Sequence, residues 1–183
     1  YMIVQTLGIV ASQALLLTAD PSGFVLFVIP SVLVSIAITP ILLSISPTPA
    51  FDTTKPMTLR DLTKVSPLGA FGMFILGGVF SAQFGMASDY GAQVGLSVAQ
   101  ISTFVATFFV GAVLLQYPIG WLSDRVDRRL LIVAVSAIGV AGSILGLVLG
   151  GSFVLLLVPA FVVGGMSNPL YSLLIAHTND FLD

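Results

Sequence analysis

The sequence has no cysteine, no glutamate and a single histidine among its 183 residues. The lack of cysteine excludes disulfides, thiolate metal sites and cysteine nucleophiles, and one histidine excludes a multi-histidine metal site. No acidic residue lies inside an apolar run, so the sequence offers no acidic side chain for a catalytic nucleophile–base pair within the membrane. We therefore expect no enzymatic activity, no cofactor and no bound metal ion.

Charge is equally scarce. Only 8% of the residues are charged while 57% are hydrophobic, and the mean hydropathy is +1.11. This is too little polar material to cover a water-soluble globule, so the chain is expected to lie in a lipid bilayer. The net charge is −2, and no basic tract is long enough to indicate a nucleic-acid partner or a polybasic lipid anchor.

Six apolar runs follow one another along the chain, each near the ~20 residues that cross a hydrocarbon core. They are continuously apolar rather than alternating, which favours helices over spanning strands. The sequence predicts an all-α membrane protein with six transmembrane helices, at about 2–18, 24–45, 67–87, 99–119, 130–150 and 153–177. Because the chain starts at Tyr1 without an initiator Met, a basic leader or a cleavage site, we expect a fragment rather than a signal peptide.

The breaks between the runs carry turn residues, and the second break is much the longest. We predict a linker at 46–66 that separates the last two helices of one bundle, 1–45, from the first four helices of a second bundle, 67–183. The other breaks are expected at Asp20 to Gly23, Asp89 to Gly91, 120–129 and Gly150 to Ser152.

All six positive charges fall in two of these breaks. Short loops rich in Lys and Arg stay in the cytoplasm, so 46–66 and 120–129 are both predicted to face it. The three cations of the linker are Lys55, Arg60 and Lys64, and those of the later loop are Arg125, Arg128 and Arg129.

The later loop, GWLSDRVDRR at 120–129, has five charged residues in ten positions. It resembles the signature loop of the major facilitator superfamily, G-x-L-x-D-R-x-G-R-[RK], and departs from it at Asp127, where the family usually has Gly. The resemblance implies a twelve-helix transporter truncated at both ends, of which this chain would be helices 5 to 10. The segments Pro169 to Ser172 and Ala176 to Asp180 show a weaker likeness to the tenth helix of bacterial drug or metabolite exporters.

The resemblance also implies a role for the loop as a conformational gate on the cytoplasmic side. Asp124 would accept hydrogen bonds from the start of the first helix, near Tyr1. Arg125 and Arg129 would reach Asp180. The gate set is then Gly120, Asp124, Arg125, Arg128, Arg129 and Asp180. In the alternative, the arginines only anchor the topology.

In this family helices 1, 4, 7 and 10 line the central cavity, and the last two correspond to 67–87 and 153–177. Each has a glycine pair at similar depth, Gly77-Gly78 and Gly164-Gly165. The helical stripes beside these pairs are the predicted substrate cavity, namely Phe80, Gln83, Asn168 and Tyr171. The alternative is that the glycines allow close helix packing and that the amides bond neighbouring helices.

Two functions remain open from the sequence. One is secondary active transport of a small-molecule substrate across a bacterial cytoplasmic membrane, with or without coupling to protons. In this case we expect the full-length protein to be a monomer. The other is a non-transporting membrane scaffold or assembly factor that keeps the same fold.

Overall fold

The structure is a computed structural model that describes residues 2–20, 22–43, 58–149 and 152–181. These ranges contain helices and turns but no strand, which confirms the all-α class. A π-helical turn at Ala82–Met86 joins the fourth helix to the fifth. The helices are α1 Met2–Leu15, α2 Val25–Leu43, α3 Leu59–Val65, α4 Pro67–Ser81, α5 Ala87–Gln93, α6 Val98–Ser123, α7 Arg128–Leu149 and α8 Phe153–Asn179.

Five segments of the described chain are long and apolar enough to cross a membrane: α2, the continuous helix Pro67–Gln93, α6, α7 and α8. The first apolar run, predicted as a sixth span, forms a helix of only 14 residues. Its C-terminal part continues as tight turns, in which Leu17 and Thr18 donate to the carbonyls three residues earlier. The run is therefore folded to its predicted end, although its regular helix is shorter than a span.

The predicted break at Asp89 to Gly91 is wrong. These residues lie inside α5, because the π-helical turn carries the helix past Gln83 without interruption. The chain turns instead after Gln93, where Gly95 has a φ of 78°, a conformation that glycine adopts without strain. Ser97 then caps α6 in a reciprocal pair with Gln100.

The predicted linker 46–66 is described only from residue 58 onward. Here Thr58 caps α3 by accepting from the Asp61 N–H, and Ser66 caps α4, which has Pro67 in its first turn. Both starts use favourable N-terminal residues. The second half of the linker is therefore a short helix, exposed over most of its length.

The bundle is organised around α8, onto which α4, α6 and α7 all pack. A Cβ on Gly111 would meet the Phe161 carbonyl, and one on Gly164 would lie 2.5 Å from the carbonyl carbon of Phe108. The α6 and α8 backbones thus touch with no side chain between them, as small residues allow in membrane helices.

Helix α1 lies against the N-terminal half of α6. The hydroxyl of the buried Ser102 donates to the Gln13 carbonyl at 2.5 Å. Ile9 and Val10 pack toward the Phe104 and Phe108 cluster, so α1 runs antiparallel to α6. None of the residues of α2 is buried, and its apolar side chains remain exposed for contact with lipid.

Candidate functional site

The cations that the structure describes gather at one end of the bundle. Arg128 forms an ion pair with Asp180 at the end of α8. On the same terminal turn, a Cβ on Gly69 would meet the Thr178 hydroxyl, which places the start of α4, and with it α3, at this end too. The described parts of the two positively charged breaks thus lie at the same end of the bundle. The side of the membrane that this end faces stays a prediction, and Lys55 lies outside the described residues. We call this end the loop end.

Two charged side chains of the loop satisfy backbone groups at the neighbouring helix ends. The Arg125 guanidinium donates to the Trp121 carbonyl at 3.0 Å and stacks 3.8 Å from the Trp121 ring centroid. The Asp127 carboxylate accepts from the Arg129 N–H at 2.7 Å and so caps α7. In the described chain no residue other than glycine has a positive φ. Asp127 therefore replaces the family's usual glycine without strain and caps the following helix.

The predicted partner of Asp180 was wrong. Arg128, rather than Arg125 or Arg129, pairs with Asp180, and it also donates to the Ala176 carbonyl at 3.3 Å. The reason is position: Arg128 opens α7 beside the last turn of α8, where a cation meets the last carbonyls of the helix and a favourable helix dipole.

Two other residues of the loop end contact Phe181 at the end of α8. The guanidinium carbon of Arg129 lies 5.6 Å from the centroid of its ring. His177 is buried and meets Phe181 edge to face, with 5.1 Å between ring centroids. Arg129 is therefore held beside an aromatic ring instead of the carboxylate that was predicted as its partner.

Asp124 is the exception among the charged residues of the loop. It is exposed at the C-terminus of α6, where the helix dipole disfavours a carboxylate, and no described side chain or N–H donates a hydrogen bond to it. Its predicted partner near Tyr1 lies outside the described residues. Ser102 of α6 bonds Gln13 of α1, so these two residues lie at the same height in the bundle. From this height Met2 lies about 16 Å along α1, and Asp124 lies about 33 Å along α6 in the same direction, at about 1.5 Å per residue. The described part of α1 therefore stops well short of Asp124.

Gly120 faces open space, since a Cβ built there meets no atom within 4 Å among the described residues. Its side of α6 is exposed. The structure therefore gives no packing reason for glycine at this position.

Three of the four predicted cavity residues, Phe80, Gln83 and Tyr171, lie along the contact between α8 and the helix formed by α4 and the π-helical turn. Phe80 and Tyr171 approach with 6.3 Å between ring centroids. Three residues further on, the amide nitrogen of the buried Gln83 donates to Ser167 Oγ at 2.9 Å. Asn168 follows Ser167 directly. The structure thus brings Phe80 and Gln83 of one predicted stripe against α8 at mid-bundle, near Tyr171 of the other.

Two amide atoms are buried without a partner among the described residues, Gln83 Oε1 at this contact and Asn168 Nδ2 on α8. Such atoms are expensive to bury and mark places where a further group is expected. Gln83 lies on the π-helical turn, a type of irregularity common at functional positions.

Sequence reasoning missed Ser167, which fixes the Gln83 amide, and the pair Gln116 and Ser172, joined at 2.9 Å. The signal was a lone Gln in one apolar helix and a Ser in another, but only packing pairs them. The glycine pairs differ from each other: Gly164 and Gly165 pack against α6, whereas a Cβ on Gly77 or Gly78 meets no atom of the described residues within 4 Å. The close-packing alternative therefore holds for the second pair.

No cluster of three His, Cys, Asp or Glu side chains that could hold a metal ion occurs in the described ranges. A family model described as Major Facilitator Superfamily matches residues 69–183, from the start of α4 to the last residue. The chain belongs to the Major Facilitator Superfamily. It is a multi-pass membrane protein of a family whose members are transporters rather than enzymes and bind small molecules within the bilayer. No curated protein and no solved structure matches the chain.

Proposed function

We propose that the protein is a secondary active transporter that moves a small solute by alternating access, and that Gln83, Asn168, Phe80 and Tyr171 contact this solute. The observation that supports the proposal best is the buried contact between Gln83 and Ser167 at mid-bundle, where Gln83 Oε1 has no hydrogen-bond partner among the described residues. A polar group at membrane depth is costly, and substrate pathways are where such groups are retained.

We further propose that the matched region beginning at residue 69 is the first part of the second bundle, so that the spans correspond to helices 5 to 10 and 46–66 joins the bundles. The family match supports this division because it starts three residues after the proposed linker ends. In this scheme α1 belongs to the first bundle, and its contact with α6 near Ser102 closes the two bundles opposite the loop end.

Asp124 is then the gate residue. Its neighbours Arg125, Asp127 and Arg128 are already used at the ends of α6, α7 and α8, whereas Asp124 lies exposed against an unfavourable dipole. A charge in this position is explained if it gains a partner in the other conformation, when the loop end closes.

The function is tested in proteoliposomes with a panel of radiolabelled solutes. We expect at least one solute to be transported, and Gln83→Ala and Asn168→Ala to change its apparent affinity or selectivity at normal protein yield. If both variants only lower the yield, the amides are contacts between helices. If no solute is moved by protein that is folded and inserted, the scaffold function is favoured instead.

We also propose that the loop end faces the cytoplasm of a bacterial cell, because all the positive charges of the sequence lie in the two breaks assigned to that end. The chain has no native cysteine, so single cysteines report cleanly. Cysteines at the exposed Ser22 and Ser152 should react with an impermeant thiol reagent in intact cells, whereas one at Val126 should need permeabilised cells. The reverse pattern would invert the orientation.

A further inference from the structure

The α4–α5 helix and α8 touch closely at the loop end and separate toward the opposite end. A Cβ on Gly72 would lie 2.7 Å from Leu174 Cδ2, and α4 packs along α8, whereas the described residues of α5 make hardly any contact with α8. Beyond Gln83 the gap widens into an open crevice of about 540 Å³ between α5, α6, α7 and α8. Its volume lies within the range of small-molecule sites.

The lining of this crevice is apolar and partly aromatic, and includes Tyr90, Phe104, Phe108, Leu156 and Pro159. Phe104 and Phe108 meet edge to face and pack in one buried cluster with Leu156, which gives this part of the lining a fixed shape. Gln83 also lines the crevice and is 6% exposed, and its Oε1 has no partner in the described chain. Aromatic walls around few polar atoms are typical of sites for small organic ligands.

The Gln83 amide has a defined orientation. The Ser167 hydroxyl donates to the Val163 carbonyl at 2.9 Å, so its oxygen accepts from Gln83 Nε2. This leaves Oε1 as the free atom, and it is an acceptor only. The crevice therefore lacks a hydrogen-bond donor rather than an acceptor at this point.

We propose that the crevice binds a small apolar solute, aromatic at least in part, that carries a hydroxyl or N–H group and donates it to Gln83 Oε1. The role of this site in substrate choice rests on the proposed transport function, whereas binding itself does not. A site with a buried acceptor favours ligands that carry the donor, because an analogue without it leaves the acceptor unpaired.

Binding of matched probes to the purified protein in lipid nanodiscs tests this inference. The probes are 1-naphthol and 1-methoxynaphthalene, which share a bicyclic ring system and differ in the O–H donor, with empty nanodiscs correcting for partition into lipid. We expect 1-naphthol to bind about three- to tenfold more tightly, the range given by one net hydrogen bond. Gln83→Leu should bring the two affinities together, and Ser167 still donates to Val163 in that variant.

The matched control is Gln116→Leu, which removes an amide-to-serine contact of the same kind away from the crevice and should keep the preference for 1-naphthol. Ala82→Phe, which keeps Gln83 and adds bulk to the crevice wall, should weaken both probes at least tenfold. It also tests the site if Gln83→Leu does not fold.

Equal binding of the two probes to the unchanged protein overturns the inference. So does a preference that survives Gln83→Leu, or undetectable binding of both probes, as expected where a lipid chain or another helix fills the crevice. Transport is measured separately from binding. If the protein prefers 1-naphthol but transports no solute, only the proposed transport function is refuted. If it transports solutes and its preference for those with an O–H or N–H donor is unchanged in Gln83→Leu, only this inference is refuted.

Discussion

The contact between the α6 and α8 backbones gives a sharp test of the packing at Gly164. An added Cβ would lie 2.5 Å from the carbonyl carbon of Phe108, while nonbonded carbon atoms prefer about 3.5–4.0 Å. Gly164→Ala therefore requires α6 and α8 to separate by about 1 Å. Helix backbones on both sides of the contact cannot move away as the end of a flexible side chain can.

The magnitude follows from two opposing effects. Overpacking of a close contact costs about 1–3 kcal/mol, and alanine in a helix interior gains about 0.5–1 kcal/mol over glycine. We expect Gly164→Ala to lower the free energy of unfolding by up to about 2 kcal/mol and to reduce the yield of monodisperse protein. Gly78→Ala, whose Cβ meets nothing within 4 Å among the described residues, should be neutral or stabilising.

The assay is unfolding of the purified protein in detergent, followed by circular dichroism, with both variants and the wild type in parallel. If Gly164→Ala is as stable as the wild type, the close contact between α6 and α8 is refuted. If both variants are destabilised to the same extent, the result indicates a general intolerance of alanine at the glycine pairs rather than a specific contact at Gly164.

Three further predictions concern charged groups. Asp124→Asn should insert normally, transport poorly and expose cysteines at the loop end to thiol reagents; unchanged transport and labelling would leave Asp124 without a gate role. A double-mutant cycle between Arg128 and Asp180, which are 29% and 48% exposed, should give a coupling of only about 0.2–1 kcal/mol, and unrelated pairs in the same assay set the error. The Ser22 hydroxyl and N–H hold the pKa of the Asp20 carboxyl below its usual range. This small stabilisation of the turn is therefore present at pH values above the usual pKa of an Asp carboxyl and is lost as the pH falls through the lowered pKa of Asp20. Ser22→Ala should raise the pKa of Asp20 in an NMR titration. An unchanged pKa would contradict the Ser22 hydroxyl as the cause.

The membrane class and most helix positions could be predicted from the sequence, because apolar length alone decides which segments can enter a bilayer. The regular helices α2, α6, α7 and α8 each lie within a few residues of their predicted runs. Boundaries set by local backbone geometry were less predictable. The residues Asp89 to Gly91 have the composition of a turn, yet the helix passes through them and turns at Gly95.

The loop illustrates the same division. Its charges and spacing pointed to the correct family, and the match over 69–183 confirmed it. Which arginine pairs with Asp180 could not be read from spacing, since all three lie within five positions of one another. The direction in which each side chain leaves its helix end decides the partner, and that direction selects Arg128.

The sequence by itself determined that this is a helical membrane protein with its positive charges in two breaks, because the bilayer imposes a length, a polarity and a charge rule on every segment separately. Only the tertiary structure decided which helices meet. Gly164 allows contact between backbones, whereas Gly77 has no close neighbour in the described chain, and Gln83 bonds Ser167 while its Oε1 has no partner there. The physical reason is that lipid accepts any apolar face equally well, so hydrophobicity cannot choose the neighbour of a helix. Shape and hydrogen bonding between helices make that choice, and they depend on residues far apart in the chain.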